Sequence, residues 1–211
     1  MNTPLVSPSV SRRQFLGQIS AAGAVALAPR SLLAVEAPRR LGVAIVGLGG
    51  YATGQLRPAM KLTKNCRLAG VVTGSREKGA KWAQEFGFPE SSVYSYDTMA
   101  QMAGNPDIDI VYVVTPNGLH AQHVIAAAKA GKHVITEKPM ANTVADCDAM
   151  IAACKAAGVK LSVGYRLHFD PFHEKLRQLA KTQEFAPFLK MDGGFAFVMG
   201  TMQWRAQKKL A

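Results

Sequence analysis

The fold is decided by one short stretch of the chain, Val43-Ala44-Ile45-Val46-Gly47-Leu48-Gly49-Gly50-Tyr51-Ala52. Its first four residues are apolar and largely β-branched, which predicts a buried strand. The glycines end that strand. From about Tyr51 to Leu62 the apolar spacing predicts a helix whose buried face carries Ala52, Leu56, Ala59 and Met60.

A Gly-x-Gly-x-x-Ala turn between a strand and a helix is typical of a dinucleotide-binding site. Gly47 permits the tight turn, Gly49 lets the backbone approach a pyrophosphate, and Ala52 lets helix and strand pack closely. Backbone N–H groups at the helix start then face the phosphates. We therefore expect a nicotinamide dinucleotide to contact Gly47, Leu48, Gly49, Gly50 and Tyr51. The alternative is a glycine-rich turn in some other α/β protein.

The following sequence alternates between strand and helix patterns. Strands are predicted at Leu68–Thr73, Ile110–Val114, His133–Ile135 and Leu161–Val163. Helices are predicted at Arg76–Phe86, on a stripe of Ala121, Val124, Ile125 and Ala128, and on a stripe of Val144, Cys147, Ile151 and Cys154. This alternation predicts an α/β fold with a doubly wound parallel, Rossmann-type sheet over residues 39–165.

The pattern changes after Tyr165. Pro171–Lys181 is predicted as one helix and Phe188–Met199 as a strand, so residues 166–211 form the beginning of an incomplete α+β second domain. Without partner strands, that strand would expose an apolar edge, which predicts a marginal or aggregation-prone segment.

The end of the second predicted strand indicates which cofactor is bound. An acidic residue there would bind the ribose 2′-hydroxyl of NAD, whereas a basic residue accommodates the 2′-phosphate of NADP. Here the turn carries no acid, and Ser75, Arg76 and Lys78 can hydrogen-bond and neutralise a phosphate. NADP is therefore favoured over NAD. The alternative for Arg76 is a solvated residue at the start of a helix.

The N-terminal residues 1–37 are predicted to be a targeting signal. Arg12 and Arg13 are followed by an apolar run from Phe15 to about Ala28 and then by small residues, which is typical of a twin-arginine secretory signal. Alternatives are a membrane anchor or a chance arginine pair. The run is short for a spanning helix, so the mature protein is expected to be periplasmic or otherwise exported, without a stable membrane span.

Composition indicates a globular protein, with 48% apolar and 18% charged residues. The formal net charge of +11 is scattered rather than clustered, so no nucleic-acid partner is expected. The three cysteines, Cys66, Cys147 and Cys154, imply no disulfide framework and are interpreted as small core residues.

Three ordered motifs follow the glycine-rich turn: Thr115-Pro116-Asn117-x-x-His120, Ala130-Gly131-Lys132-His133-Val134, and Glu137-Lys138-Pro139. Together with that turn they resemble the Gfo/Idh/MocA oxidoreductases over residues 41–205. Gly164-Tyr165-Arg166-x-His168-x-Asp170-Pro171 and Gln203-Trp204-Arg205 are similar to the glucose–fructose oxidoreductase branch of that family, whose members are also exported with NADP bound.

The resemblance implies a role for each matching residue. Lys138 corresponds to the active-site lysine beside the nicotinamide and the reacting sugar carbon, where a cation can stabilise an oxyanion or relay a proton. Glu137 is implied to lie near the nicotinamide ribose. The loop beneath the nicotinamide is implied to contain Thr115, Pro116 and Asn117, with His120 capping or packing the helix that follows.

Tyr165 and Arg166 are implied either to face the substrate or to be structural. No metal is expected, because neither His120 with His123 nor the set His168, Asp170 and His173 has a supporting ligand pattern.

The expected function is NADP-dependent hydride transfer on a sugar or polyol. The family's second domain supplies an aspartate and a tyrosine or histidine, and this chain ends at Ala211 before that stretch. The chain is therefore expected to be catalytically incomplete, as a fragment, a truncated product or half of a split protein. A complete protein is expected to be a homo-oligomer. Two alternatives stay open: an exported NAD-dependent glycosidase of the same family, and a non-catalytic NAD(P)-binding module or sensor.

Overall fold

The structure is a computed structural model that describes residues 39–182 and six later positions: Lys190, Asp192, Gly193, Gly194, Ala196 and Leu210. The predicted signal over residues 1–37 lies outside the described residues. Most of the predicted strand Phe188–Met199 does too, and the five of its residues that are described carry no regular structure.

Six strands and five α-helices form the described part of the chain. The strands are β1 (Leu41–Val46), β2 (Cys66–Val72), β3 (Val93–Tyr94), β4 (Ile110–Val113), β5 (His133–Thr136) and β6 (Leu161–Val163). The helices are α1 (Arg57–Leu62), α2 (Arg76–Phe86), α3 (His120–Lys129), α4 (Val144–Ala156) and α5 (Pro171–Thr182). A π-helical segment, Ala52–Leu56, leads into α1, and short 3₁₀ helices span Glu90–Ser92, Tyr96–Gly104, Asn117–Leu119 and Arg166–Phe169.

The six strands form one parallel sheet in the order β3-β2-β1-β4-β5-β6. Val46 at the end of β1 pairs with Val72 on one side and Val113 on the other. The strand order reverses between β1 and β4, as in the doubly wound dinucleotide-binding fold. The predicted Rossmann-type fold is therefore confirmed.

The sheet separates two apolar clusters. Successive residues of β1 point to opposite faces, so Ala44 and Val46 join one cluster, and Val43 and Ile45 join the other. Because both faces are covered, β1 is apolar along its length rather than alternating. The first cluster also includes Val124 of α3 and Met150 of α4, and the second includes Trp82 of α2.

Two side chains of α4 do not lie where the sequence pattern predicts. Met150 and Cys154 are buried, whereas Val144 is 78% exposed and Ile151 is 52% exposed. The helix contains many alanines, so several stripes of similar hydrophobicity run along it, and packing beside α3 decides which one is buried. Ala59 in α1 is likewise exposed, although Ala52 is buried as predicted.

The cysteines are unpaired thiols, with Cys154 buried and Cys66 and Cys147 half-buried. Within residues 39–182, no helix is long and apolar enough to cross a bilayer.

Candidate cofactor site

A cavity of about 820 Å³ opens at the carboxyl ends of β1, β4 and β5. This is the edge at which the strand order reverses, and open α/β sheets bind their ligands at such a point. Most of the predicted site residues line it: Gly47, Leu48, Gly49, Gly50, Tyr51, Ser75, Lys78, Thr115, Pro116, Asn117, His120, Glu137, Lys138 and Arg166. Five further lining residues were not predicted: Thr73, Tyr96, Val114, Pro139 and Gly164.

The glycine-rich turn forms one wall of the cavity. Gly47 has a φ of +96°, a conformation that residues with a side chain rarely adopt, and its N–H donates to Val72 O at 2.9 Å. Among the described residues, a Cβ atom added to Gly49 or Gly50 would meet no atom within 4 Å apart from its own chain neighbours. The backbone of the turn is therefore open to the cavity at the two positions where a phosphate would approach it.

The start of α2 lies beside the glycine-rich turn. The Ser75 hydroxyl caps this helix by accepting from Lys78 N at 3.3 Å, and Lys78 Nζ donates to Leu48 O, also at 3.3 Å. The positively charged ammonium group of Lys78 therefore lies against the glycine-rich turn.

Arg76, which was predicted beside Lys78, is exposed and does not line the cavity. The physical reason is helix geometry, because residues two apart project to opposite sides of a helix. Tyr165 also lies outside the cavity lining. It is 52% exposed, and its ring meets the His168 ring edge-on at 6.2 Å.

The ends of three neighbouring strands meet at the other side of the cavity. Tyr112 on β4 donates its hydroxyl to Glu137 Oε1 at 2.6 Å, and Glu137 directly follows β5. Gly164, directly after β6, leaves room for this pair, since a Cβ atom there would lie 3.0 Å from Glu137 Oε1 and 3.2 Å from the Tyr112 oxygen. The Tyr112 phenol therefore holds the Glu137 carboxylate beside the exposed Lys138.

The phenols around Glu137 resist ionisation. Burial raises the pKa of Tyr112, and the hydrogen bond to Glu137 and its charge raise that pKa further. The pKa of Tyr51 is also raised, first by burial and then by the Glu137 charge, while Arg166 acts in the opposite direction. Two phenols and one carboxylate thus form a coupled group at this end of the cavity.

We expect Glu137→Gln to make these two phenols ionise at a lower pH, because the negative charge that disfavours tyrosinate is removed. Spectrophotometric titration of tyrosinate measures this change. In the native protein the raised pKa values contribute stability that is complete below about pH 10 and is lost as the pH rises beyond it, since the unfolded chain then ionises first. The surface variant Glu90→Gln is the control. An unchanged titration curve in Glu137→Gln would contradict the coupling.

Two buried histidines lie on the first turn of α3. The His120 ring contacts the carbonyl oxygens of Thr115 and Pro139, each at 2.8 Å. His123 Nδ1 lies 3.1 Å from Thr115 Oγ1, and its ring stacks on Tyr96 with 5.1 Å between centroids. Within the described residues, no cluster of His, Cys, Asp and Glu is arranged to hold a metal ion.

The fold and the cavity together define a dinucleotide-binding Rossmann domain. Comparison with known proteins narrows the class: residues 41–165 match the Gfo/Idh/MocA family, described as an oxidoreductase family with an NAD-binding Rossmann fold. The chain belongs to this family, which confirms the resemblance seen in its motifs.

Individual relatives are similar to this chain over part of their length. The chain is 38% identical over 107 residues to 1,5-anhydro-D-fructose reductase of Ensifer adhaerens, covering 51% of this chain and 31% of the relative. It is 32% identical over 136 residues to the D-xylose 1-dehydrogenase [NADP(+)] of Haloarcula marismortui, covering 64% and 38%. The chain thus spans well under half the length of these two relatives.

A solved structure is similar over more of the chain. The aldose-aldose oxidoreductase from Caulobacter crescentus, solved in complex with glycerol, superposes with a TM-score of 0.75 at 44% identity. The match covers 82% of this chain and 52% of that one.

Proposed function

We propose that this chain is the cofactor-binding part of an NADP-dependent oxidoreductase that acts on a sugar or polyol. The observation that carries the proposal is the cavity itself. It brings the glycine-rich turn, the ammonium group of Lys78 and the consecutive residues Glu137 and Lys138 to one edge of the sheet. Because the chain covers only part of its relatives, the proposal concerns the activity of the whole protein.

The residues present fit a dinucleotide. The turn offers an open backbone at Gly49 and Gly50, and the cavity volume of about 820 Å³ lies within the range of about 300–1,000 Å³ that is usual for small-molecule sites.

The choice of NADP rests on Lys78. Its ammonium group lies 3.3 Å from Leu48 O, at the end of the cavity where α2 begins and where the ribose of the adenosine would lie. Among the residues that the structure describes, no carboxylate lines this end of the cavity. Two relatives support the choice through their names, the Haloarcula D-xylose 1-dehydrogenase [NADP(+)] and the scyllo-inositol 2-dehydrogenase (NADP(+)) of Bacillus subtilis, which is 31% identical over 107 residues.

The nicotinamide end provides the groups for proton handling. Bound NADP supplies the hydride acceptor. Lys138 is exposed in the cavity wall, where its ammonium can stabilise an alkoxide or exchange a proton with a sugar hydroxyl. Glu137, fixed by Tyr112, offers a carboxylate oxygen for a ribose or sugar hydroxyl.

We expect NADP to bind about 10- to 100-fold more weakly to Lys78→Gln, because hydrogen bonds to charged groups contribute about 1.5–3 kcal/mol. NAD, which lacks the 2′-phosphate, should bind with almost the same affinity to the native protein and to Lys78→Gln. Titration of each cofactor by calorimetry measures the difference.

The matched control is Lys81→Gln, on the same helix. Lys81 pairs with Glu77 at the surface and lies outside the cavity lining, so its loss should leave both affinities unchanged. An equal loss of NADP and NAD affinity in Lys78→Gln would show that the lysine does not select the phosphate.

We also propose that residues 1–37 direct export by the twin-arginine route. Support comes from the order Arg12-Arg13-Gln14-Phe15-Leu16, an apolar run and small residues. Mass spectrometry of the periplasmic protein should find a chain shortened near Ala28, Ala34 or Ala37, and replacement of Arg12 and Arg13 by lysine should keep it in the cytoplasm. An intact N-terminus on a soluble cytoplasmic protein would refute the proposal.

A further inference from the structure

The ring of His120 joins two loops at the cavity wall. His120 begins α3, and its side chain is buried at 1% exposure. Nε2 lies 2.8 Å from the carbonyl oxygen of Thr115, in the loop after β4. Nδ1 lies 2.8 Å from the carbonyl oxygen of Pro139, directly after Lys138. The same ring therefore contacts the loops that follow two adjacent strands.

Both partners of the ring are acceptors only. A neutral imidazole carries one N–H, so it can donate to one of these oxygens but must face the other with a lone pair. At 2.8 Å that second contact would bring two lone pairs together in a buried place. An imidazolium carries an N–H on each nitrogen and satisfies both carbonyl oxygens, with the shorter and stronger bonds of a charged donor.

His123, one turn away, has the opposite donor pattern. Its Nε2 lies 3.1 Å from the amide nitrogen of Gln122, which is a donor, so Nε2 accepts and the ring is neutral. Nδ1 can then donate to Thr115 Oγ1 at 3.1 Å. The pKa of His123 is lowered to about 4, first by burial and then by the charge of His120.

Burial of the His120 ring and its place at the positive end of the α3 dipole both oppose a charge there. Lys138 and Glu137, which line the same cavity, carry opposite charges. Tyr96, which stacks on His123, is a neutral phenol whose pKa is raised by burial. The carbonyl oxygens of Thr115 and Pro139 stabilise the charged form of the ring, because only that form can donate a hydrogen bond to both of them.

We propose that His120 is an imidazolium that ties the Thr115–Asn117 loop to the Lys138–Pro139 loop and thereby positions Lys138 at the cavity. His120 is a positioning residue that acts through the Pro139 carbonyl. It also places a buried positive charge in the wall of a cavity that suits an anionic cofactor. The role of Lys138 rests on the proposed function, whereas the protonation of the ring does not.

The direct test is ¹⁵N NMR of histidine-labelled protein, using the whole chain without cofactor. We expect both ring nitrogens of His120 to carry protons at neutral pH, with the resonance assigned by its loss in His120→Gln. A single protonated nitrogen in His120 at neutral pH would overturn the proposal.

Hydrogen exchange tests the positioning role. The amide of Glu137 donates to Val113 O at 2.9 Å and reports on the loop that carries Lys138. We expect this amide to exchange at least tenfold faster in His120→Gln, while amides within β2 keep their protection. His123→Gln is the matched control, because the hydrogen-bond partners of the His123 ring are Thr115 and Gln122 rather than Pro139. Equal loosening of the Glu137 amide in both variants would exclude a specific tie.

The two proposals fail separately. A chain that shows a doubly protonated His120 but binds no NADP would refute the proposed function and leave the imidazolium in place. A chain that binds NADP with a singly protonated His120 would refute the tie alone.

Discussion

Replacing Gly49 with alanine is expected to leave the fold intact and to weaken NADP binding at least tenfold. Apart from its chain neighbours, the added Cβ atom would meet no atom of the described residues within 4 Å, so the substitution introduces no clash with them in the free protein. It would project into the cavity at the turn where the pyrophosphate has to approach the backbone closely. Thermal unfolding and NADP titration of the same sample separate the two effects.

Gly54→Ala is the matched control for this prediction. Gly54 lies in the π-helical segment that follows the turn, and a Cβ atom there also meets nothing within 4 Å. Gly54 is exposed and does not line the cavity, so the variant should bind NADP normally and be equally or slightly more stable. Equal NADP affinity in Gly49→Ala and Gly54→Ala would remove the glycine-rich turn from the cofactor site.

The largest effect on stability is expected for Gly42→Ala, which should lower the free energy of unfolding by about 3 kcal/mol or more. An added Cβ atom would lie 1.7 Å from the carbonyl oxygen of Asp107, and that oxygen belongs to the backbone. The backbone has little room to move, since Gly42 N donates to Asp109 Oδ2 at 2.7 Å and Asp109 N donates to Gly42 O at 2.9 Å. Urea denaturation measures the loss.

Gly104→Ala is the control for Gly42→Ala, because a Cβ atom at Gly104 would lie in open space. Its free energy of unfolding should change by less than about 0.5 kcal/mol, as is usual for surface substitutions. A similarly small change in Gly42→Ala would mean that β1 and the Asp107–Asp109 segment can separate at little cost.

The sequence predicts best where local chemistry marks both ends of an element. The predicted bounds of α2 match the structure residue for residue. Ser75 supplies a helix-capping hydroxyl at its start, and Gly87 ends it with a φ of +72°. Five of the six described strands were predicted to within about two residues, because their apolar runs are bounded by glycine, proline or threonine.

The segment between Phe88 and Asp109 was not predicted. It contains a strand of two residues, Val93–Tyr94, and the 3₁₀ helix Tyr96–Gly104. Two residues are too few to show a hydrophobic period, and a 3₁₀ helix does not repeat at the α-helical spacing. These elements form because Met99 and Met102 bury completely against the sheet, which depends on the tertiary structure.

The candidate site divides in the same way. The glycine-rich turn and Glu137–Lys138 were predicted because each is a short motif within one segment. Tyr112 and Gly164 were not, since they reach Glu137 from neighbouring strands far apart in sequence. Tyr112 lies near the carboxyl end of β4, and Gly164 directly follows β6. A search for polar residues near the carboxyl ends of the parallel strands would have found Tyr112.

The strand order has a consequence for synthesis on the ribosome. β1 is made first but lies in the middle of the sheet, between β2 and β4. After β3 is made at Tyr94, the nascent chain can complete only half of the sheet, and the other edge of β1 stays unpaired until Ile110 emerges. That edge belongs to a strand buried from Gly42 to Val46 in the finished fold. A pause in translation between these points would therefore expose an apolar, hydrogen-bonding edge to chaperones or to other nascent chains.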